Sequence, residues 1–166
     1  MATSVVVEDF SLRRQAKKGH ELFMVGIGIQ LLLGPVALFV DLGRWGIALP
    51  LAVWMLFWLM TRQRLNRSQP PFVAAHWRLA LRRYTIMAIG YGITVALLLL
   101  SYLIEASVTG HSPQQLLAVA LIRIGVMPAI IALFVSLVVG NGGLSQANQG
   151  LWPKGLAPED GAIESD

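Results

Sequence analysis

The side chains that could do chemistry in this sequence are few, and the most costly is an arginine inside an apolar run. Arg123 lies within residues 116–140, where an unpaired cation costs about 3 kcal/mol on membrane-insertion scales. Such a group normally faces an opposite charge or water. Glu105 precedes the same run and is the candidate partner, so the sequence predicts an intramembrane ion pair. Snorkelling of the Arg123 side chain to the outer membrane surface would also explain its position, and the functional alternative is an ion, lipid or substrate site.

Two further polar features lie at or inside the first apolar run. Asp41 and Arg44 form a smaller opposite-charge pair in the turn that follows it. Gln30 is the strongly polar side chain within the run. Because a buried amide can hydrogen-bond across helices, we expect Gln30 to cross-link helices rather than to serve transport.

The histidines do not suggest a cofactor. A b-type haem with two axial histidines needs them to face each other inside the bundle. His20 and His76 both precede apolar runs, whereas His111 lies beyond the third run. We therefore expect neither haem nor metal, and we interpret His76, next to Trp77, as a residue of the membrane interface.

The motifs of common active sites are missing from the sequence. It has no His-x-x-x-His pair, no Gly-x-Ser-x-Gly turn and no phosphate-binding P-loop. It also has no cysteine, which excludes disulfides and thiol chemistry. We therefore assign no catalytic, cofactor-binding or metal-ligating residue and expect a protein that is not an enzyme.

Composition places these residues in a membrane. Hydrophobic residues make up 55% of the 166-residue chain and charged residues 13%, about half the charged share of an ordinary soluble domain. The 13 Lys and Arg residues exceed the 9 Asp and Glu residues, and they flank the apolar runs. Orientation in a membrane explains this excess better than nucleic-acid binding does.

Four apolar runs are long enough, or nearly so, to cross about 30 Å of hydrocarbon. They are residues 22–40, 45–60, 84–104 and 116–140. The predicted fold is all-α: an integral membrane four-helix bundle made of two transmembrane helical hairpins. Pro70 and Pro71 break the chain before the third run, and apolar residues at helical spacing follow them, which indicates an interfacial helix there.

These runs divide the chain into five segments. They are a basic N-terminal segment 1–21, a first hairpin 22–61, a basic linker 62–83, a second hairpin 84–140, and a tail 141–166 that we expect to be disordered. Lys and Arg concentrate in the N-terminal segment and the linker. The positive-inside rule then predicts that both termini are cytoplasmic, in a bacterial inner membrane.

The linker cations are expected to contact anionic lipid headgroups. They are Arg64, Arg67, Arg78, Arg82 and Arg83. Small residues about four positions apart predict close helix packing within the membrane. The candidate packing residues are Gly26, Gly34, Ala88, Gly92, Ala96, Ala132, Ser136 and Gly140.

A shift of 64 positions superimposes the first apolar run on the third. Gly26 then falls on Gly90, and Gly28 falls on Gly92. Duplication of a helical hairpin is one interpretation, and chance alignment of apolar segments is the other.

About half of the chain lies outside the apolar runs, but it is divided into short segments, and no reactive constellation is visible. The favoured function is a non-enzymatic subunit, assembly factor or accessory component of a larger membrane complex. Its expected partners are membrane lipids and other membrane subunits or further copies of itself. The alternative is a small homo-oligomeric channel or transporter, which needs polar residues lining a path between subunits. A membrane enzyme or cofactor-binding anchor is the least favoured hypothesis.

Overall fold

The computed structural model describes residues 6–39, 46–107, 113–153 and 156, and this part of the chain is almost wholly helical. Its helices are α1 (Phe10–Phe39), α2 (Ala48–Leu65), α3 (Pro71–Ser107), α4 (Pro113–Gly125) and α5 (Met127–Asn148). Only Val126 separates α4 from α5, because Pro128 has no N–H to donate to the preceding turn. The all-α class predicted from the sequence is confirmed for these residues.

Two stretches of helix are long and apolar enough to cross a membrane. They are α3, with 37 residues, and the stretch Val119–Asn148, with 30 residues across the α4–α5 junction. α1 includes residues 22–39 of the first predicted run, and α2 includes residues 48–60 of the second.

α1 and α3 form the central pair of the bundle and run parallel. His20 meets His76 near the N-terminal ends of the two helices, and Gln30 meets Tyr91 further along both. α2 packs against both members of this pair, and so does α5. The helix that follows α1, which is α2, and the helix α5, which follows α3 and α4, thus both pack on the α1–α3 pair. Duplication of a helical hairpin would produce this arrangement.

Burial in α1 and α3 follows the same register at the repeat distance of 64 residues. Within the two matching stretches, every buried position of α1 corresponds to a buried position of α3. The positions are 16, 19, 20, 23, 26, 27 and 30 in α1, and 80, 83, 84, 87, 90, 91 and 94 in α3. This shared pattern of burial supports duplication of a hairpin. The alternative explanation is that two helices with the same periodicity match by chance.

Several of the predicted packing residues lie at close approaches between helices. A Cβ atom added at Gly26 would lie 3.0 Å from the Phe57 ring, and one at Gly140 would lie 2.5 Å from the Met24 sulfur. Two further candidates on α5 are buried: Ala132 and Ser136.

The small residues predicted on α3 are placed differently. Gly92 and Ala96 are exposed, and Ala88 is only half-buried. The close contact is at Gly90, where an added Cβ would collide with Ala132 and the Pro128 carbonyl. Two residues turn an α-helix by about 200°, so Gly92 lies on the opposite face of α3 from Gly90. A Cβ atom added at Gly92 would meet no atom of the described residues within 4 Å, and neither would one added at Gly34 of α1.

The predicted interfacial helix is instead the first part of α3, which is continuous from Pro71 to Ser107. Its early residues are buried against α1 and the C-terminal segment, because Phe72, Val73 and Trp77 belong to a core cluster with Ala16 and Ala147. The linker therefore ends at Pro71.

The linker arginines do not all face outward. Four of the five arginines expected at lipid headgroups are exposed, namely Arg64, Arg67, Arg78 and Arg82. Arg83 is only 8% exposed, because its side chain turns into the bundle across the surface of Gly143.

The start of the predicted disordered tail is ordered. α5 continues past Gly140 to Asn148, since the side chains of Phe23 and Arg83 pack against its glycines. Beyond it, Leu151 forms an isolated antiparallel bridge with Val6. The first and last described segments of the chain therefore lie at the same end of the bundle. Residues 154–155 and 157–166 lie outside the described residues.

The two glycines of α3 provide a matched test of this packing. Gly90→Ala is expected to destabilise the protein by about 1–3 kcal/mol, because the new methyl group overpacks the contact with α5. Gly92→Ala is expected to be neutral or stabilising by up to ~1 kcal/mol, because alanine favours helix and meets nothing there. Thermal unfolding in detergent measures both. Equal losses of Tm in the two variants would contradict the described contact.

Candidate functional site

The most unusual feature of the interior is a cluster of ionisable side chains from α1 and α3. His20 and His76 are 0% exposed, and Arg83 is 8% exposed. His20 Nε2 lies 3.1 Å from His76 Nδ1. His76 Nε2 lies 3.0 Å from the Leu151 carbonyl oxygen, and Arg83 Nη1 lies 3.4 Å from His20 Nδ1. We call these three side chains the His–His–Arg cluster.

The proton positions in this cluster follow from the chemistry of its two ends. The Leu151 carbonyl only accepts, so His76 Nε2 must carry a proton and His76 Nδ1 must accept from His20 Nε2. His20 Nδ1 is then an acceptor as well, and the guanidinium of Arg83 donates to it. All donors are matched to acceptors when both imidazoles are neutral.

Burial keeps both imidazoles neutral at physiological pH. Loss of solvation and, to a smaller extent, the nearby charge of Arg83 lower the pKa of His20 to about 3. The same burial lowers the pKa of His76 to about 4, although the hydrogen bond to the Leu151 carbonyl opposes the shift. A second proton on either ring would break this line of hydrogen bonds, because two N–H donors would then face each other with no acceptor between them.

The C-terminal segment places the carbonyl that ends this chain of hydrogen bonds. Gly150 has φ = +71°, a left-handed conformation that favours glycine. An added Cβ there would also collide with the Val7 carbonyl. The Val7 N–H donates to the Gly150 carbonyl at 2.9 Å. The glycine thus turns the chain so that the Leu151 carbonyl faces His76.

Aromatic rings cover the cluster on the side of the chain ends. The Phe72 ring lies 4.8 Å from the His76 ring and 5.3 Å from the Trp152 ring, centroid to centroid, with both contacts edge-on. On the other side, Trp77 packs where Gly19 has no side chain. The cluster is therefore shielded from solvent by residues close to both described ends.

Arg83 is the least satisfied member of the cluster. Its Nη1 also lies 3.4 Å from the Gly140 carbonyl, but its Nε finds no hydrogen-bond partner among the described residues. Burial lowers the pKa of Arg83. No carboxylate among the described residues pairs with Arg83, and a buried cation without such a partner is costly. The site therefore carries a positive charge that the surrounding residues do not neutralise.

The arrangement does not favour a metal ion or haem. The two facing histidine nitrogens already bond each other, and the positive charge of Arg83 lies beside them. Among the described residues, no group of three or more His, Cys, Asp or Glu side chains could hold a metal. His20 and His76 meet nevertheless, which the sequence argument did not foresee. Their shared position shortly before two apolar runs was the available signal.

Other polar links join the helices deeper in the bundle. Gln30 accepts a hydrogen bond from the Tyr91 hydroxyl and donates to the Gly26 carbonyl at 3.0 Å, so it connects α1 to α3. Thr61 of α2 lies 3.4 Å from the Tyr84 hydroxyl of α3.

The start of α5 is also tied to α3 by a polar contact. The backbone N–H of Ala129 donates to the Thr94 hydroxyl at 3.1 Å. This N–H lies in the first turn of α5, where it has no carbonyl partner within the helix. A side chain of α3 therefore caps α5 next to the break at Val126.

The predicted charged pairs are not at this site. Arg123 is exposed in the last turn of α4. Among the described residues, Lys17 pairs with Glu21 at 3.5 Å. Because Arg123 is exposed, the bundle does not bury its charge, and the Glu105–Arg123 ion pair stays a prediction. The predicted pair Asp41–Arg44 and His111 lie outside the described residues.

No protein-family model, curated protein or solved structure matches the chain.

The cluster predicts acid sensitivity of the fold. Both histidines have a lower pKa in the folded protein than the ordinary value of 6.5, so the unfolded chain binds more protons below that pH. Stability is fully present above pH 6.5 and is lost as the pH falls towards 4 and 3, by up to about 1.4 kcal/mol per pH unit for each histidine. We expect Tm in detergent to fall between pH 7 and pH 5.

Variants separate the cluster from other acid effects. His76→Gln removes one titrating group, so its Tm should depend less on pH than that of the unaltered protein, whatever its absolute stability. His111→Gln removes the third histidine, which lies outside the described residues; if the cluster causes the acid sensitivity, this variant keeps the original pH dependence. An unchanged Tm between pH 7 and pH 5 in the unaltered protein would contradict the buried neutral histidines.

Proposed function

We propose that the protein is a small integral membrane protein with four spans, which acts as a non-enzymatic subunit, assembly factor or accessory component of a larger membrane complex. The observation that carries the proposal is the large apolar surface on the outside of the bundle. Polar side chains such as Gln30 and Thr94 are buried, whereas many large apolar side chains are exposed.

The outer surface supports a membrane setting on every long helix. Leu32 of α1 is 71% exposed and Val138 of α5 is 72% exposed. Leu56 of α2 and Ile89 of α3 are also exposed. Soluble monomers rarely expose contiguous apolar surface on this scale, whereas lipid tails or other membrane subunits would cover it.

The interior supports a structural role rather than a conducting one. Its centre is filled by large side chains that form one core cluster, including Phe23, Tyr84, Met87 and Tyr91. The buried amide and hydroxyl groups of Gln30 and Tyr91 bond each other instead of lining a path. A channel would thus have to form between copies, where the exposed surface of α5 offers Ile131, Phe134 and Val138 rather than polar groups.

Charge supports the proposed orientation, with both termini in the cytoplasm of a bacterial cell. The bridge between Val6 and Leu151 puts the first and last described segments at one end of the bundle. The N-terminal cations and the linker arginines belong to the same end, because they precede the apolar runs of the two parallel central helices. Positively charged segments are retained in the cytoplasm.

Cysteine labelling tests the topology in a chain that has no natural cysteine. Ser107→Cys, at the end of α3, should react with a membrane-impermeant maleimide in intact cells. Arg67→Cys, in the linker, should react only after the membrane is permeabilised. Labelling of Arg67→Cys alone in intact cells would contradict the proposed orientation.

Isolation of the native assembly tests the subunit role. The protein extracted in a mild detergent is expected to purify with unlike membrane subunits in fixed stoichiometry, as measured by native mass and subunit identification. A pure homo-oligomer would contradict the accessory role and favour the channel.

A further inference from the structure

A groove lined by cations runs along the first turns of α1, outside the His–His–Arg cluster. It has a volume of about 410 Å³ and opens between α1 and the end of α5. We call it the basic groove, and its lining residues are Phe10, Arg13, Arg14, Lys17, Lys18, Glu21 and Asn148.

The groove lies on a single face of α1. Its α1 residues recur at intervals of three or four positions, which places them on one side of a helix. The buried residues Ala16, Gly19 and His20 pack on the other side. The groove side chains therefore lie on the side of α1 away from these buried residues.

Two of the four cations in the groove are already engaged. Lys17 pairs with Glu21 at 3.5 Å, and Arg13 donates from Nε to the Val7 carbonyl. Arg14 and Lys18 are exposed, and neither forms an ion pair with a carboxylate among the described residues. They lie one helical turn apart, so their charged groups can converge on one anion.

The position of the groove suggests where that anion comes from. Lys18 and Glu21 lie within one turn of residue 22, where the first apolar run begins. In a membrane this is the level of the lipid headgroups. A guanidinium matches the paired oxygens of a phosphate, and each cation near an anionic membrane surface raises affinity about fivefold.

We infer that the basic groove binds the phosphodiester headgroup of an anionic glycerophospholipid, with Arg14 and Lys18 on the phosphate. This site goes beyond the proposed function. It rests on the membrane setting of the protein and not on its role as a subunit.

Lipid binding by the purified full-length protein in a neutral detergent tests the site. The probes are dioleoylphosphatidylglycerol, dioleoylphosphatidylcholine and inorganic phosphate, titrated and followed by native mass spectrometry. The double variant Arg14→Gln/Lys18→Gln should bind phosphatidylglycerol about thirtyfold more weakly than the unaltered protein, since two charges are lost. Its weak binding of phosphatidylcholine should not change.

Two further variants distinguish a site from a diffuse positive surface. Arg64→Gln/Arg67→Gln removes the same charge from exposed linker arginines, whose expected headgroup contacts are separate from the groove, and should weaken phosphatidylglycerol binding less than Arg14→Gln/Lys18→Gln does. Arg14→Lys/Lys18→Arg keeps both charges and should bind nearly as well as the unaltered protein. Equal weakening by the two glutamine double variants would overturn the groove in favour of general surface charge.

Other outcomes would assign the groove to a different ligand. Binding of inorganic phosphate as tight as that of phosphatidylglycerol would identify a soluble anion and overturn the lipid site. Unchanged lipid binding in Arg14→Gln/Lys18→Gln, with loss of an acidic protein subunit that accompanies the unaltered chain, would identify a protein partner instead. Because lipid binding is measured on the isolated chain, failure of the subunit role would not affect it.

Discussion

Polar side chains buried between α1 and α3 must hydrogen-bond to one another, and the bundle depends on this requirement. A buried polar group without a partner costs several kcal/mol in apolar surroundings. His20 therefore bonds His76 at one level of the central pair, and Gln30 bonds Tyr91 at another. Two separate polar contacts fix how far α1 is shifted along α3, which apolar packing alone would leave adjustable.

The position of α5 follows from the same central pair. Arg83 reaches His20 only because Gly143 leaves space for its side chain, and α5 approaches α3 closely at Gly90. The segment after α5 then supplies the Leu151 carbonyl to His76. Helix packing and the fold of the chain end are thus coupled through one line of hydrogen bonds.

This construction separates the inside of the protein from the surfaces that a partner could meet. The interior groups bond each other, so they offer little to a substrate. The outside presents an apolar belt, with Leu32 and Val138 among its most exposed members, and one cationic groove at the end that carries the described termini. Such a surface fits the proposed role of a membrane subunit in contact with lipid.

The sequence by itself determined the helical class, the approximate apolar runs, and the concentration of cations in the N-terminal segment and the linker. These features depend only on local composition and helical periodicity. It also marked Gly26 and Gly140 as packing positions. Only the tertiary structure decided which face of α3 is buried, and hence that Gly90 rather than Gly92 meets α5. It likewise brought together His20, His76 and Arg83, and it exposed Arg123. Spacing along a chain defines the faces of each helix, but the rotation and axial shift between helices arise from long-range contacts that no local pattern encodes.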